Sequence, residues 1–316
     1  MYTFKTLPKL NFEELRTFVA VVEMKSFSRA ADELCRTTAA VSYRVKMLEN
    51  SLGAPLIVRQ SKGFDLTPAG QWLYTKASEL LNWQQNIPEE INAIKNGVES
   101  HFTLVINNLL YDHLCVARLI SVLKQRYPFT KLKVIRSVYN GVWDSLMYDS
   151  GSLAIGAPTF HSIDDNFVTE PLGLIQWKLV TSPDHPVAKM SKVTRDDLRN
   201  YPVVNIEDSS SHMQKRLPWR LVGQEEILVP NLRTKVACHE RGLGVGFLPS
   251  SLVSEQLQKG SLVIVENFDE HLRTSSPMSL AWAKEDSGIV NRWLRDLVKK
   301  RDDLVAPLLA PISPTQ

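Results

Sequence analysis

Apolar residues near the start of the chain recur with helical spacing. In "FEELRTFVAVVEM", Leu15, Phe18, Val19 and Val22 stand at i, i+3, i+4 and i+7, one stripe along a helix. A second short helix is expected with Ser28 as its cap and Ala31 and Leu34 turned inward. "CRTT" breaks that pattern, and Thr37 caps a third helix. There Val41, Val45, Leu48 and Leu52 form the inner stripe, while Thr38, Ser42, Tyr43 and Lys46 share the opposite face, and Gly53 ends it. "PLIVRQSKGFDLTPAG" then reads as two short strands, Leu56–Arg59 and Phe64–Leu66, around a "QSKG" turn. Thr67 and Pro68 open the next helix as cap and first helical residue.

In that helix Leu73, Ala77, Leu80, Gln84, Ile87, Ile91, Ile94 and Val98 recur every three or four residues, a heptad-like seam that predicts dimerisation. Pro88 lies inside the seam and is expected to kink or restart the helix, with Asn86 as the new cap. Past residue 100 the period changes. "FTLVI", "KLKVIRSVY", "LAIGA", "WKLVTS", "VVNI", "EEILV", "LVIV" and "SLAWA" read as strands, separated by helices such as "CVARLISVLKQRY", "VWDSLMY", "TKVACHERG" and "GIVNRWLRDLVKKR". The alternation predicts parallel sheets covered on both faces, and the length suits two lobes.

Charge sharpens the reading of the first part. The 316 residues carry 37 Lys and Arg against 34 Asp and Glu, a net +3. Residues 1–66 hold ten basic and seven acidic side chains, also +3, so the rest is near neutral. Five basic residues and one acidic fall between Arg36 and Lys62, which points to nucleic acid. A slim helix with hydroxyls, an aromatic and a cation on its outer face suits the major groove. Arg59 and Lys62 on the hairpin are placed for phosphate or the minor groove.

Other chemistry is thin. Cys35, Cys115 and Cys238 are odd in number and far apart, so reduced structural thiols are expected and no metal site. The start "MYTFKTLPKL" has no long apolar run and no stretch reaches membrane-spanning length, so a cytoplasmic, nucleoid-associated location is expected. "GLGVGF" lacks the glycine spacing of a dinucleotide loop and is read as packing or hinge. "IEDSSSH" groups acid, hydroxyl and imidazole without triad spacing. His185 and His239 stand alone. No catalytic residue, metal or cofactor is expected, and the chain is not read as an enzyme.

The stretch "SFSRAADELCRTTAAVSYRVKMLENSLGAPLIVRQSKGFDLTPAG" resembles the winged helix-turn-helix of the LysR-type transcriptional regulators. Phe27, Ser28, Ala30, Ala31, Leu34, Val41, Ser42, Leu48, Glu49, Leu52, Gly53, Pro55, Leu56, Arg59, Leu66, Thr67, Ala69 and Gly70 carry the resemblance. The family commonly has Arg where Tyr43 stands, Gln-Pro where Thr38 and Ala39 stand, and Phe where Ile57 stands, so base contacts do not transfer there. The expected DNA-binding set is Ser28, Thr37, Thr38, Ser42, Tyr43, Arg44, Lys46, Arg59 and Lys62.

The resemblance implies a mixed α+β and α/β architecture. A winged helix-turn-helix domain occupies residues 10–67 and a dimerising linker helix 68–98. A two-lobed, periplasmic-binding-protein-like (type 2) effector domain follows over 101–302. Lobe I covers about 101–160 and 271–302, lobe II about 161–270. Implied partners are double-stranded promoter or operator DNA, a small-molecule effector, a second copy or more of the chain in a homodimer or homotetramer, and RNA polymerase; no membrane is implied. Candidate effector residues follow strands or open helices: Asn107, Asn108, Asn140, Glu207, Asp208, Ser209, Arg233 and Thr234, with a carboxylate placed on the helix N-terminus near Asn231. Their amides and hydroxyls, with no Arg pair, suit a small polar nitrogen-rich ligand. "INNLLYD", "GVWDSLMYD", "GQEEILVP" and "SPMSLAW" are similar to a branch of the family, the activators of allantoin-utilisation genes, which implies control of purine-derived (ureide) nitrogen catabolism. Two other readings stay open: an α/β enzyme with an accessory DNA-binding domain, and an effector-independent repressor.

Overall fold

The computed structural model describes residues 10–60, 63–159, 165–216, 219–266, 268, 275–285 and 288–313. Lys62 of the expected DNA-binding set lies outside them. Two compact units are present, 1–92 and 93–316.

In the first unit α1 (Phe12–Met24), α2 (Phe27–Glu33) and α3 (Thr38–Leu52) precede a hairpin of β1 (Ile57–Arg59) and β2 (Phe64–Leu66), and α4 (Pro68–Lys95) follows. Leu15, Phe18, Ala30, Ala31, Val41, Val45, Leu48 and Leu56 are buried together, as the helical spacing requires. Ser26, two residues earlier than expected, caps α2 by accepting from Arg29 N; Ser28 is an exposed residue within the first turn. Thr37 caps α3 by accepting from Ala40 N at 3.2 Å. Glu49 Oε1 accepts from Leu56 N at 2.7 Å and Ile57 N at 3.2 Å, which fastens the hairpin to α3.

Helix α4 begins in the head and leaves it. Leu73 and Ala77 are buried in the head's own core rather than in a seam with another copy. Beyond them Leu80, Trp83, Ile91 and Ile94 are exposed, Trp83 by 57 %. The helix does not restart at Pro88: α4 is continuous from Pro68 to Lys95. Proline removes a single N–H donor there, and the intact turns on either side carry the helix past it.

The second unit contains β3 (His101–Asn107), α5 (His113–Arg126), β4 (Lys131–Ser137), α6 (Gly141–Tyr148), β5 (Leu153–Pro158) and β6 (Phe167–Thr181). Then come α7 (Arg195–Arg199), β7 (Val203–Ile206), β8 (Glu226–Val229), α8 (Leu232–Glu240), β9 (Gly246–Pro249), α9 (Ser254–Lys259), β10 (Val263–Ile264), β11 (Ser275–Ala283), α10 (Ile289–Lys300) and α11 (Ala306–Leu309). The main sheet has the order β10-β6-β11-β5-β3-β4, with β9 also on β6. Among the described strands, β3 with β4 and β5, and β7 with β8, are parallel. The parallel sheets expected from the alternation are mixed here, because β6, β9, β10 and β11 pair antiparallel with their neighbours.

Strand β6 makes the two lobes. Its first ten residues, Phe167 to Gln176, pair with β11; from Trp177 onward it pairs with β9, and further with β10. Lobe I is built on β3, β4, β5 and β11, lobe II on β7, β8, β9 and β10. The "GLGVGF" segment leads into β9, and a Cβ on Gly244 would stand 2.2 Å from Pro202 O, so close backbone packing explains that glycine.

Gly70, in the first turn of α4, faces Leu56: a Cβ there would lie 2.1 Å from the Leu56 carbonyl oxygen. Helix propensity alone favours Gly70→Ala by about 1 kcal/mol. We expect the opposite sign, a less stable head in Gly70→Ala, read in the full chain as faster hydrogen exchange of the α1 and α3 amides.

Candidate functional sites: a basic outer helix and an interlobe cavity

On the head, Phe27, Ser42, Tyr43, Val45, Lys46, Glu49, Ile57 and Arg59 border one open groove. Thr38, Tyr43 and Lys46 are exposed on α3, and the Arg59 guanidinium sits 5.4 Å from the Phe27 ring centroid. Arg44 departs from the expected set. It lies one residue before buried Val45, on the side of α3 facing α1, and its Nη1 pairs with Glu13 Oε2 at 2.9 Å. It braces two helices instead of joining the outer face.

In the second unit a cavity of about 320 Å³ opens where strands end. Asn107 ends β3 and Asn108 follows it, Val138 and Tyr139 follow β4, Pro158 ends β5 and Thr159 follows it, and Ile206 ends β7. Carboxyl ends of parallel strands converge on such crevices because the connecting turns leave a gap there. Trp177 contributes from the point where β6 changes partners, Ser276 and Met278 from β11, and Arg216 and Trp219 from the lobe II loop.

The adjacent asparagines differ in state. Asn107 Nδ2 donates to Gly156 O at 2.8 Å and its Oδ1 accepts from Leu109 N at 3.0 Å, so it shapes the turn after β3. Asn108 is 5 % exposed, and its Nδ2 is buried with no hydrogen-bond partner. The walls are aromatic. Trp177 and Trp219 meet edge to face at 4.7 Å, Trp219 also lies 4.3 Å from Phe247, and Trp177 Nε1 donates to Ser276 Oγ at 3.0 Å. Arg216 is 5.9 Å from the Tyr139 ring centroid. Burial pushes the Tyr139 phenol's pKa up, so it stays protonated.

Most of the other expected effector residues have structural work. Asp208 is 3 % exposed and accepts four backbone N–H groups, from Asn140 and Gly141 at the start of α6 and from Ser210 and Arg216 in its own loop. Ser209 Oγ accepts from Val138 N at 2.9 Å. Asn140 Nδ2 donates to Gln214 O, and Glu207 pairs with Lys215 at 2.6 Å. From the other side Asp144, on α6, accepts from Ser211, His212 and Met213 N. The loop 207–216 of lobe II is thereby pinned to a helix of lobe I. None of Asn140, Glu207, Asp208 or Ser209 lines the cavity. Arg233 and Thr234 border a separate open depression with Cys238 and Arg241. The α8 terminus expected to hold a carboxylate is occupied from within: Asn231 Oδ1 accepts from Thr234 N at 2.9 Å. Of the missed lining residues, Tyr139, Arg216 and Trp219 sit in irregular segments, and Trp177 lies inside β6 where the strand changes partners, places where periodicity carries no signal.

Lobe II also buries ionisable groups away from the cavity. Desolvation brings Lys235 down to about 7, against the raising influence of Glu226. Burial and the Lys235 charge bring His239 down to about 3. His239 Nδ1 lies 3.3 Å from Gly244 O, a packing arrangement.

Residues 12–71 match the family described as bacterial regulatory helix-turn-helix protein, lysR family, and residues 96–303 match the LysR substrate binding domain. The chain is similar to the HTH-type transcriptional activator AllS of Salmonella paratyphi A, 44 % identical over 288 residues, 91 % of this chain and 92 % of that one. It is similar to the HTH-type transcriptional regulator PunR of Escherichia coli K12, 30 % identical over 286 residues, 90 % of this chain and 91 % of that one. Its fold is similar to that of the Corynebacterium glutamicum OxyR C206 mutant, with a TM-score of 0.60 at 19 % identity, covering 99 % of this chain and 100 % of that one.

The interlobe pin has a pH signature. Burial alone would raise the Asp144 carboxyl, but the amide donors of Ser211, His212 and Met213, with the His212 ring, outweigh it and hold the pKa below the usual value. A carboxyl lowered on folding contributes its full stability above its unfolded pKa and loses it as pH falls through the lowered value. Asp144→Asn should therefore cost about 2 kcal/mol near pH 7, with the cost shrinking as acid carries the pH through the carboxyl's lowered pKa, read by urea unfolding across a series of falling pH.

Proposed function

The chain belongs to the LysR family of bacterial transcriptional regulators, and on that footing we propose that it activates genes of allantoin and purine-derived nitrogen catabolism in response to a small molecule held in the interlobe cavity. LysR regulators bind DNA and small-molecule effectors and are oligomeric. The observation that carries the pathway is the identity to the activator AllS, spread over 91 % of this chain and so including the effector domain. Identity to PunR at 30 % over a similar span is consistent with a purine-linked role. An enzyme is not supported: the family match covers both parts of the chain.

The head would read DNA through the outer face of α3, with Thr38, Ser42, Tyr43 and Lys46 in the major groove and Arg59 on the hairpin at phosphate. Thr37 would serve by capping α3. Homodimer or homotetramer assembly would use the exposed stripe of Leu80, Trp83, Ile91 and Ile94 on α4, since burying such a stripe is the usual drive for helix pairing. RNA polymerase is the natural further partner of an activator on the nucleoid.

Two measurements follow. Lys46→Ala and Arg59→Ala should each lower affinity for all DNA and flatten the plot of log affinity against log salt by about 0.9 for each phosphate no longer neutralised. Arg44→Ala should leave that slope unchanged, because Arg44 is paired with Glu13. Chromatin footprinting in cells fed allantoin as nitrogen source should place the protein at promoters of ureide-degradation genes. Occupancy confined to unrelated promoters would overturn the pathway reading while leaving the DNA-binding one.

A further inference from the structure

We propose that lobe II holds a second small-molecule site, set behind Trp219, for an uncharged apolar molecule of the size of a single ring. The site is separate from the interlobe cavity and does not depend on the reading of that cavity as the effector site.

A cavity of about 180 Å³ lies within lobe II. Leu179, Leu198, Val203, Val245 and Phe247 form its inner wall, each buried to 7 % exposure or less. Native interiors close-pack and keep few voids larger than a water molecule, because atoms lining a void lose their contacts. A hole of this size calls for an occupant.

The polar side chains around it are engaged with the protein. Gln224 Nε2 donates to Leu198 O at 2.8 Å and to Tyr201 O at 3.0 Å, and its Oε1 accepts from Leu221 N at 3.1 Å. Arg220 pairs with Glu226 at 3.3 Å, and Arg195 has a partner as well. Both arginines are exposed, at the solvent side of the cavity. Strand backbone is paired too: Val203 N donates to Glu225 O and Val245 N to Pro202 O. The described contacts of the Trp219 indole are with rings, so its N–H is compatible with one acceptor atom on the bound molecule. A carboxylate would meet guanidinium groups already paired, and a molecule polar all round would be desolvated against hydrocarbon without return.

Volume sets the size. An engineered cavity of about 150 Å³ lined by Leu, Ile and Phe stays dry and binds benzene. The lobe II cavity is close to it in volume and in lining.

Trp219 gives the site its place in the fold. It lines both cavities, with Trp177 of the interlobe cavity 4.7 Å from its ring and Phe247 of the lobe II cavity 4.3 Å away. Its backbone holds φ 50°, a left-handed conformation that residues with a Cβ rarely adopt and that concentrates at ligand clamps and switch segments. A molecule seated in lobe II therefore packs against the same indole that walls the interlobe cavity.

The test uses the full-length protein and two probes, toluene and benzoate, the second of which puts a carboxylate on a ring of the same size. Toluene near saturation should raise the melting temperature by about 2 °C or more, and benzoate at the same concentration should leave it unchanged. Crystals pressurised with xenon should show the gas between Leu198, Val245 and Phe247. Leu198→Phe fills the cavity and should abolish the toluene shift while the unliganded melting temperature holds or rises. If Leu198→Phe does not fold, Leu221→Trp from the half-buried side is the filling variant. An equal shift with benzoate that the filling variant removes would overturn the uncharged class. A toluene shift that persists in the filled cavity, or xenon seen only outside lobe II, would overturn the site, as would the absence of both shift and density. Each of these failures leaves the interlobe reading untouched.

Discussion

Two carboxylates, Asp144 and Asp208, hold the second unit's lobes against each other. Asp208 crosses from the end of β7 to the two N–H groups at the start of α6, and Asp144 reaches back from α6 to three N–H groups of the 207–216 loop. A helix start leaves backbone donors without partners, and a carboxylate is the strongest acceptor a side chain offers. The cavity depends on this pin, since the segment it fixes continues into Arg216 and Trp219 while Tyr139 lies two residues before α6. Gly141 belongs to the same contact: a Cβ there would lie 2.0 Å from Ser209 Oγ.

The head was legible where packing repeats. Val41, Val45 and Leu48 are buried at the spacing the sequence shows, and Thr37 caps the helix it precedes. What the pattern could not separate was Arg44 from Lys46. Both are cations on one helix, and only the position of Glu13 on α1 decides that one of them turns inward. Ser26 and Ser28 posed the same difficulty, two hydroxyls within one turn, where the local backbone chose the earlier. In the long helix, Leu73 and Ala77 belong to the same three-to-four repeat as Ile91 and Ile94, yet the first pair serves the head's core and the second is exposed.

The cavity was half legible, for a physical reason. Polar residues after strands are visible in a sequence, and Asn107, Asn108, Asp208 and Ser209 all stand out that way. Whether such a residue faces a cavity or the chain's own backbone depends on contacts between distant segments. Asp208 and Asn140 are 68 residues apart in sequence, and their hydrogen bond is set by tertiary packing alone. The structure puts Asn107 and Asn108 at the cavity and gives Asn140, Asp208 and Ser209 to backbone groups. The aromatic walls come from the middle of a strand and from irregular loops, so no period marks them.

Effector control of the second unit turns on where a small molecule sits. A crystal structure of the full chain grown with a ureide or purine metabolite that raises its melting temperature measures this directly. Density between Asn108, Trp177 and Trp219, with the Asp208 bonds to Asn140 and Gly141 intact, is the predicted result. Density at the start of α8 beside Arg233 and Thr234, with the interlobe cavity empty, would contradict it.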